Sequence, residues 1–425
     1  MIEIERKTKG INTEMEVNGD KSISHRVAIF GAMSNGVTEI ENFSDARDCH
    51  STLECLMVLG VAIDFGERIE IKGKGLQNFK EPSDILNAGN SGTTIRLLSG
   101  LLAGQPFFSV ITGDESLRRR PMDRVIVPLS LMGGEFWARG KNRYPPIAIK
   151  GRFPLRPIDY KLPVASAQVK SSIIIASLLA EGKSVVTEPL PSRDHTERIL
   201  PFFGARVEKE GNSITIYGNP YLEGQKVYVP GDFSSASFFI VGGLIVPNSR
   251  IVIKNVGLNP GRIGLLNVIG RMGGRVRVEI NGESLGEPFG DIYVESSNLS
   301  GTSISKEEVP LLIDELPLVA VLGAYANGET SVIGAEELRI KESDRIKAIV
   351  TEFRKLGVDI KELPDGFIVY GPNILEGATV ESYNDHRIAM ALAIAGLGAR
   401  SNVKIRDYEC VEISFPGFWS LLSQL

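Results

Sequence analysis

Cysteine is scarce in this chain. Cys49, Cys55 and Cys410 are the only three in 425 residues, which gives no disulfide framework. Cys49 and His50 are adjacent, but no second Cys/His pair stands at zinc-like spacing, which argues against a metal site there. Long apolar runs are missing too. Those near Phe238 and Ile388 are too short to span a bilayer, and the opening MIEIERKTKG lacks the apolar core of a signal peptide. A cytoplasmic protein without membrane contact is therefore expected. No charge of one sign dominates: the net charge is −5, whereas a nucleic-acid surface calls for a clustered basic face. The Walker loop and the dinucleotide glycine spacing are also absent. Hydrophobic content of 43% with 23% charged residues is ordinary for a soluble globular protein.

What the chain has instead is repetition. NGDKSISHR, from Asn18 to Arg26, sets polar, small and cationic residues ahead of an apolar run. The pattern returns near Gly89 (GNSGTTIRLLSGLLAG), Ser166 (SAQVKSSIIIASLLAEG), Asp232 (DFSSASFFIVGGL), Asp314 (DELPLVAVLGAYANG) and Asn384 (NDHRIAMALAIAGLG). Ser, Asn, Asp and Thr are good N-caps and the apolar residues recur at helical spacing, so each of the six copies predicts a helix with a polar start. Such a start attracts anions through its N–H groups and the helix dipole. A Gly turn and a β-branched run follow several copies, as in NGVTEIEN and EGKSVVTEP, and read as a strand. A second helical segment then ends in an apolar-Gly step at Leu59, Met132, Phe203, Met272 and Leu356, which suits a C-cap before a returning strand.

A period of roughly 70 residues is longer than that of solenoid repeats, so the copies read as six small α/β subdomains. One core rarely holds 425 residues. The six copies divide into two groups of three: a first lobe over 21–230, and a second over 1–20 plus 231–425, with the chain crossing near Asp20 and Gly231.

Candidate ligand groups cluster at the helix starts. The first copy places Lys21, Ser22 and Arg26 there, where cations are unfavourable unless an anion is bound; His25 has no partner motif and reads as structural. The second copy offers Asn90, Ser91, Gly92, Thr93 and Arg96, with glycine permitting close backbone approach. Arg118, Arg119 and Arg120 follow, and the rigid Pro121 is placed to aim one of them at an anion. The third copy supplies Ser166, Gln168 and Lys170, and the later SRDHTER reads as a capped, charged helix start. In the fourth, Asp232 and its serines read as a turn and cap. The fifth brings Asp314 and Glu315, with Arg339, Lys341, Glu342, Asp344 and Arg345 in LRIKESDRI. Alternating charge of that kind is usually a solvated face, but the sixth copy repeats the combination with Asp385 and Arg387. If like positions converge, the cations form a site for multiply anionic small molecules, and Asp314 and Glu342 can act as acid and base.

Taken in order, NGDKSISHR, GNSGTTIRLL, RRRPM, SAQVKSS, IDELP, RIKESDRI and NDHRIAMA resemble the successive motifs of the 5-enolpyruvylshikimate-3-phosphate synthase family over nearly the whole chain. The resemblance implies two domains, each of three β-α-β-α-β-β subdomains about a pseudo-threefold axis, that close on substrate bound between them. It implies transfer of the enolpyruvyl group of phosphoenolpyruvate to the 5-hydroxyl of shikimate 3-phosphate with release of phosphate, by a monomer without metal or organic cofactor. By the same resemblance Lys21, Ser22, Arg26, Ser166, Gln168, Asp314 and Lys341 hold shikimate 3-phosphate. Lys21, Gly92, Arg120, Gln168, Arg345 and Arg387 hold phosphoenolpyruvate. Asp314 is the base for the hydroxyl, Glu342 protonates the methylene carbon, and Lys21 joins them as a catalytic group.

The chain departs from the family at Ile413, where many members carry Lys before the segment SFPGFW, and the role of Arg193 stays open. UDP-N-acetylglucosamine enolpyruvyl transferase is the nearest alternative, but it carries Lys-Asn where Lys21-Ser22 stands and usually a reactive Cys in the loop that here runs from Gly113 to Arg120 without one. RNA 3′-phosphate cyclase would need a nucleotidylated His and a basic RNA face. A non-catalytic anion-binding protein would have no need of Asp314 and Glu342.

Overall fold

In the computed structural model, which describes residues 1–425, each polar start followed by an apolar run becomes a helix: Lys21–Met33, Gly92–Ala103, Ala167–Leu178, Phe233–Ile245, Leu316–Tyr325 and His386–Gly396. Side chains of Asp20, Ser91, Ser166, Asp232 and Asp385 accept a backbone N–H of the first turn, which satisfies a donor that the helix leaves without a partner. Glu315, at the same position before Leu316–Tyr325, makes no such bond. These helices are apolar nearly all round; in Phe233–Ile245 every residue but Ile245 is buried, as a helix wrapped by its neighbours requires.

The strands explain the repeat length. A leading strand and the strand after the helix pair in parallel, as Leu86–Asn87 does with Phe108–Thr112 and Ser303–Ile304 with Gly328–Val332. A second helix then leads to an antiparallel hairpin on the same sheet, such as Glu135–Ala138 with Tyr144–Lys150. Second helices close on a glycine in the left-handed region, Gly60 at φ 86° and Gly357 at φ 83°, a conformation other residues adopt only with strain.

Five sheets have four strands in this one order. Two of them borrow the leading strand from afar: Lys226–Tyr228 pairs with Val37–Glu41, and Asn12–Glu16 with Arg250–Gly257. The sixth sheet has three strands, Thr379–Glu381, Val403–Arg406 and the antiparallel Ile2–Ile4. Where the other copies have a second helix and hairpin, the sixth has a 3-10 turn at Tyr408–Ile413 and a short helix at Phe418–Ser423.

The chain separates into two compact units, Gly19–Val229 with Glu283–Glu287, and Met1–Asn18 with Pro230–Gly282 and Pro288–Leu425. They are called the 19–229 and 230–425 units below. Each has its own apolar core. In the 19–229 unit the helices Gly92–Ala103 and Ala167–Leu178 approach so closely that a Cβ on Gly100 would lie 2.2 Å from the Ser172 carbonyl oxygen. No helix is long and apolar enough to cross a membrane.

Candidate active site

Three helix starts belong to the 19–229 unit, and polar side chains tie them together. Lys21 Nζ lies 3.4 Å from Asp48 Oδ2. The Asp48 carbonyl accepts from Thr94 Oγ1 at 3.2 Å, and Thr94 in turn bonds the capping Ser91. Arg26, only 3% exposed, reaches across to the third helix: Nη2 donates to Ser171 Oγ at 2.8 Å, Nε to Thr196 Oγ1 at 2.7 Å and Nη1 to the Ser22 carbonyl at 2.8 Å. Burial pushes its pKa down to about 10, although Glu197 and Asp20 act the other way. His25 is buried on Thr52 Oγ1 at 2.7 Å. Burial, together with Lys21 and Arg26, holds it well below the usual imidazole range, so it is neutral.

Two guanidinium groups meet at the start of helix Gly92–Ala103. Arg96 Nη1 donates to Gln168 Oε1 at 2.6 Å, and Gln168 Nε2 donates to Thr93 Oγ1 at 2.9 Å. Arg120 Nη2 donates to Asn90 Oδ1 at 2.6 Å and to Ser116 Oγ at 3.2 Å. A Cβ on Gly92 would lie 2.6 Å from Arg96 Nη1 and 3.3 Å from Arg120 Nη1, so a side chain there would displace the first and crowd the second. Like charges gathered at the positive end of a helix dipole are suited to an anion. Arg118 and Arg119 stay exposed, while Arg120 is buried. Ser166 caps the helix that carries Gln168, accepting from Val169 N at 3.4 Å.

The 230–425 unit gathers its own three helix starts around carboxylates. The Ser234 hydroxyl donates to Glu315, which is fully buried and lies 3.7 Å from Arg387 Nη1. Arg345 Nε donates to Asp385 Oδ2 at 2.8 Å and its Nη2 to Glu342 Oε2 at 2.5 Å, while Nη1 stands 3.7 Å from Asp314 Oδ1. Burial opposes the charge on Arg345, but Asp385, Glu342 and Asp314 outweigh it and hold the group above its ordinary pKa. The other oxygen of Asp314 lies 3.4 Å from Arg262 Nη1, and Arg262 Nη2 lies 3.3 Å from Asp232 Oδ1. Asp314 and Glu342 keep 19% and 18% side-chain exposure, against 2% for Arg345 and none for Asp385. The holders are buried and the held carboxylates reach the surface. Lys341 ends the 3-10 turn Glu336–Ile340 and is half-buried beside Glu342 in sequence.

The family model for EPSP synthase (3-phosphoshikimate 1-carboxyvinyltransferase) matches residues 5–422. The chain belongs to the EPSP synthase family. A 3-phosphoshikimate 1-carboxyvinyltransferase of Carboxydothermus hydrogenoformans is 54% identical over all of this chain and 99% of that protein. The EPSP synthase structure from Acinetobacter baumannii superposes with a TM-score of 0.89 at 42% identity, covering 99% of this chain and 97% of the other. The enolpyruvyl transferase NikO from Streptomyces tendae, with a TM-score of 0.76 at 15% identity over 100% of this chain and 96% of its own, shares the fold.

Against that family background, the sequence reading needs correcting at SRDHTER. Asp194 does not cap the short helix His195–Ile199; its Oδ1 accepts from Arg198 Nε at 2.8 Å, and His195, Thr196 and Glu197 are buried. The polar face turns inward, with Thr196 Oγ1 on Arg26 Nε and Glu197 Oε1 on Lys170 Nζ. LRIKESDRI divides in two: Arg339 pairs with Asp344 and Glu362 on an exposed face, while Arg345 turns in. Arg262 was not among the candidates because NPGRIG lies outside every repeated helix start, and the fourth copy, read as a turn and cap at Asp232, receives this cation from a later loop.

Proposed function

We propose that the chain transfers the enolpyruvyl group of phosphoenolpyruvate to the 5-hydroxyl of shikimate 3-phosphate and releases phosphate. The observation that carries this reading is the sharing of one buried guanidinium, Arg345, by two accessible carboxylates, Asp314 and Glu342. In this proposal Ser22, Arg26, Ser166, Gln168, Lys341 and Asp314 hold the acceptor. Gly92, Arg120, Gln168, Arg345 and Arg387 hold the donor, and Lys21 serves both. The lobes 21–230 and 1–20 plus 231–425 are then functional halves, the first supplying mainly cations and hydroxyls, the second the acid and the base.

The chemistry follows from these roles. Glu342 in its acid form gives a proton to the methylene carbon, and the adjacent carbon becomes electron-poor. The 5-hydroxyl attacks that carbon while its proton passes to Asp314, which yields a tetrahedral intermediate. Glu342 then takes a proton back from the new methyl group as the carbon–oxygen bond to phosphate breaks, and Asp314 returns its proton to the departing phosphate. Both carboxylates end as they began and no electrons are exchanged, so this sequence asks for no cofactor. Arg345 favours the carboxylate form of Glu342 while it is the partner; a donor anion that engages Arg345 loosens that hold and favours the acid that the first step requires. Cations flanking the phosphate stabilise the charge that develops on it.

The same reading makes the protein a cytoplasmic monomer that acts on small molecules. Phosphate release from phosphoenolpyruvate, followed with shikimate 3-phosphate or with UDP-N-acetylglucosamine as acceptor, tests it. Release with the first acceptor alone is expected, and release only with the UDP-sugar would overturn the reading.

A further inference from the structure

Lys170 lies in the first turn of the helix Ala167–Leu178, and its side chain has no exposure at all. A lysine is almost never so buried unless it is paired. Its Nζ stands 2.7 Å from Glu188 Oε1 and 2.7 Å from Glu197 Oε1, and those carboxylates are themselves 3% and 5% exposed. Nζ also donates to the Ser192 carbonyl at 3.5 Å, while the Ser192 hydroxyl donates to the other oxygen of Glu188. Lys170 therefore grips the segment 192–197 at both ends.

The same segment holds Arg26. Thr196, next to Glu197, accepts from Arg26 Nε at 2.7 Å and bonds Ser171 Oγ at 2.7 Å, and Ser171 accepts from Arg26 Nη2 at 2.8 Å. Two buried cations, Lys170 and Arg26, thus stand against two buried carboxylates, Glu188 and Glu197. Such clusters are poor sources of stability, since apolar side chains of similar volume serve a core as well or better. What the cluster provides is a fixed shape for 192–197, and through it a fixed direction for Arg26.

We propose that Lys170 is a positioning residue for the acceptor: without touching the ligand, it locks the segment 192–197 in the shape that aims Arg26 at an anionic group of the acceptor. This rests on the reading that Arg26 holds shikimate 3-phosphate. The test is steady-state kinetics of Lys170→Met. The KM for shikimate 3-phosphate should rise about tenfold, as expected when a binding group is misaimed, while that for phosphoenolpyruvate stays within about twofold. Combining Lys170→Met with Arg26→Lys should give much less than the product of the two single effects, because both act through one segment. An equal rise in both KM values, or full additivity, would overturn the inference. Should Lys170→Met not fold, Glu197→Gln leaves Lys170 and Glu188 as a neutral pair and loosens the same segment; an unchanged acceptor KM in that folded variant overturns it equally. No turnover by the unsubstituted chain would instead sink the functional reading, and this inference with it.

Discussion

Arg345 and Glu342 stand three residues apart and meet at 2.5 Å, the guanidinium buried and the carboxylate reaching the surface. Asp314 approaches the same guanidinium from another segment, at 3.7 Å. Replacing Asp314 or Glu342 by Ala should therefore lower kcat by on the order of a hundredfold or more, the usual scale of general acid–base catalysis, with a smaller change in KM. Near-normal turnover in both variants would remove the pair from the mechanism.

Arg345 also carries structural weight. Asp385 has no side-chain exposure and receives Arg345 Nε, with Ser343 Oγ at 2.9 Å and the Arg387 backbone N–H at 3.0 Å as further donors. Arg345→Met would leave this carboxylate buried without its counter-charge, a loss of about 3–5 kcal/mol. Urea unfolding at neutral pH should show a lowered midpoint, partly restored in Arg345→Lys. A midpoint equal to that of the unsubstituted protein would mean that Asp385 finds another partner.

The repeat was legible because two local rules recur: a short polar residue that caps a helix, and a glycine that closes the next one. Asp20, Ser91 and Gly60 act as their residue types dictate. Long-range pairing was not legible in the same way. Nothing in NPGRIG announces that Arg262 will stand near Asp232 and Asp314, which are 30 and 52 residues away. Likewise, SRDHTER has the composition of a solvated helix start, and only the burial of Arg26 reveals why its threonine turns inward. Residues 1–20 read as part of the second lobe, but the pairing of Ile2–Ile4 with Val403–Arg406 was not legible, since pairing across nearly the whole chain leaves no periodic trace.

At Gly92 the close approach is specific enough to test. A methyl group there would stand 2.6 Å from Arg96 Nη1 and 3.3 Å from Arg120 Nη1, so Gly92→Ala should displace the Arg96 guanidinium and crowd that of Arg120. The KM for phosphoenolpyruvate should rise several-fold more than that for shikimate 3-phosphate. Equal changes would place Gly92 in a shared anion pool.

Donor and acceptor roles can also be separated within the 19–229 unit. Arg120→Lys keeps the charge but loses the planar fork that reaches Asn90 and Ser116. It should weaken the donor by about tenfold in KM while leaving binary binding of shikimate 3-phosphate nearly intact. Arg26→Ala should do the reverse. Calorimetric titration with shikimate 3-phosphate and donor KM measurements on each variant decide the matter, and parallel losses in both would sink the assignment.

The last expectation concerns pH. Burial pushes Arg26 from its ordinary value down to about 10, against the pull of Glu197 and Asp20. Between those two values the unfolded chain keeps a proton that the folded chain has released, so as far as this group is concerned stability rises with pH there. Acceptor binding runs the opposite way. The anionic acceptor needs the cation, so affinity should be full below about 10 and fall as pH passes through that value. An arginine at position 21 keeps its charge throughout, so the titration belongs in a Lys21→Arg background, over roughly pH 8.5 to 11. Binding of shikimate 3-phosphate should show a step near the Arg26 value, and the step should vanish when Arg26→Met is added. If affinity in the Lys21→Arg protein stayed flat across the range, Arg26 would have to remain charged in its buried setting, with Glu197 and Asp20 holding it so.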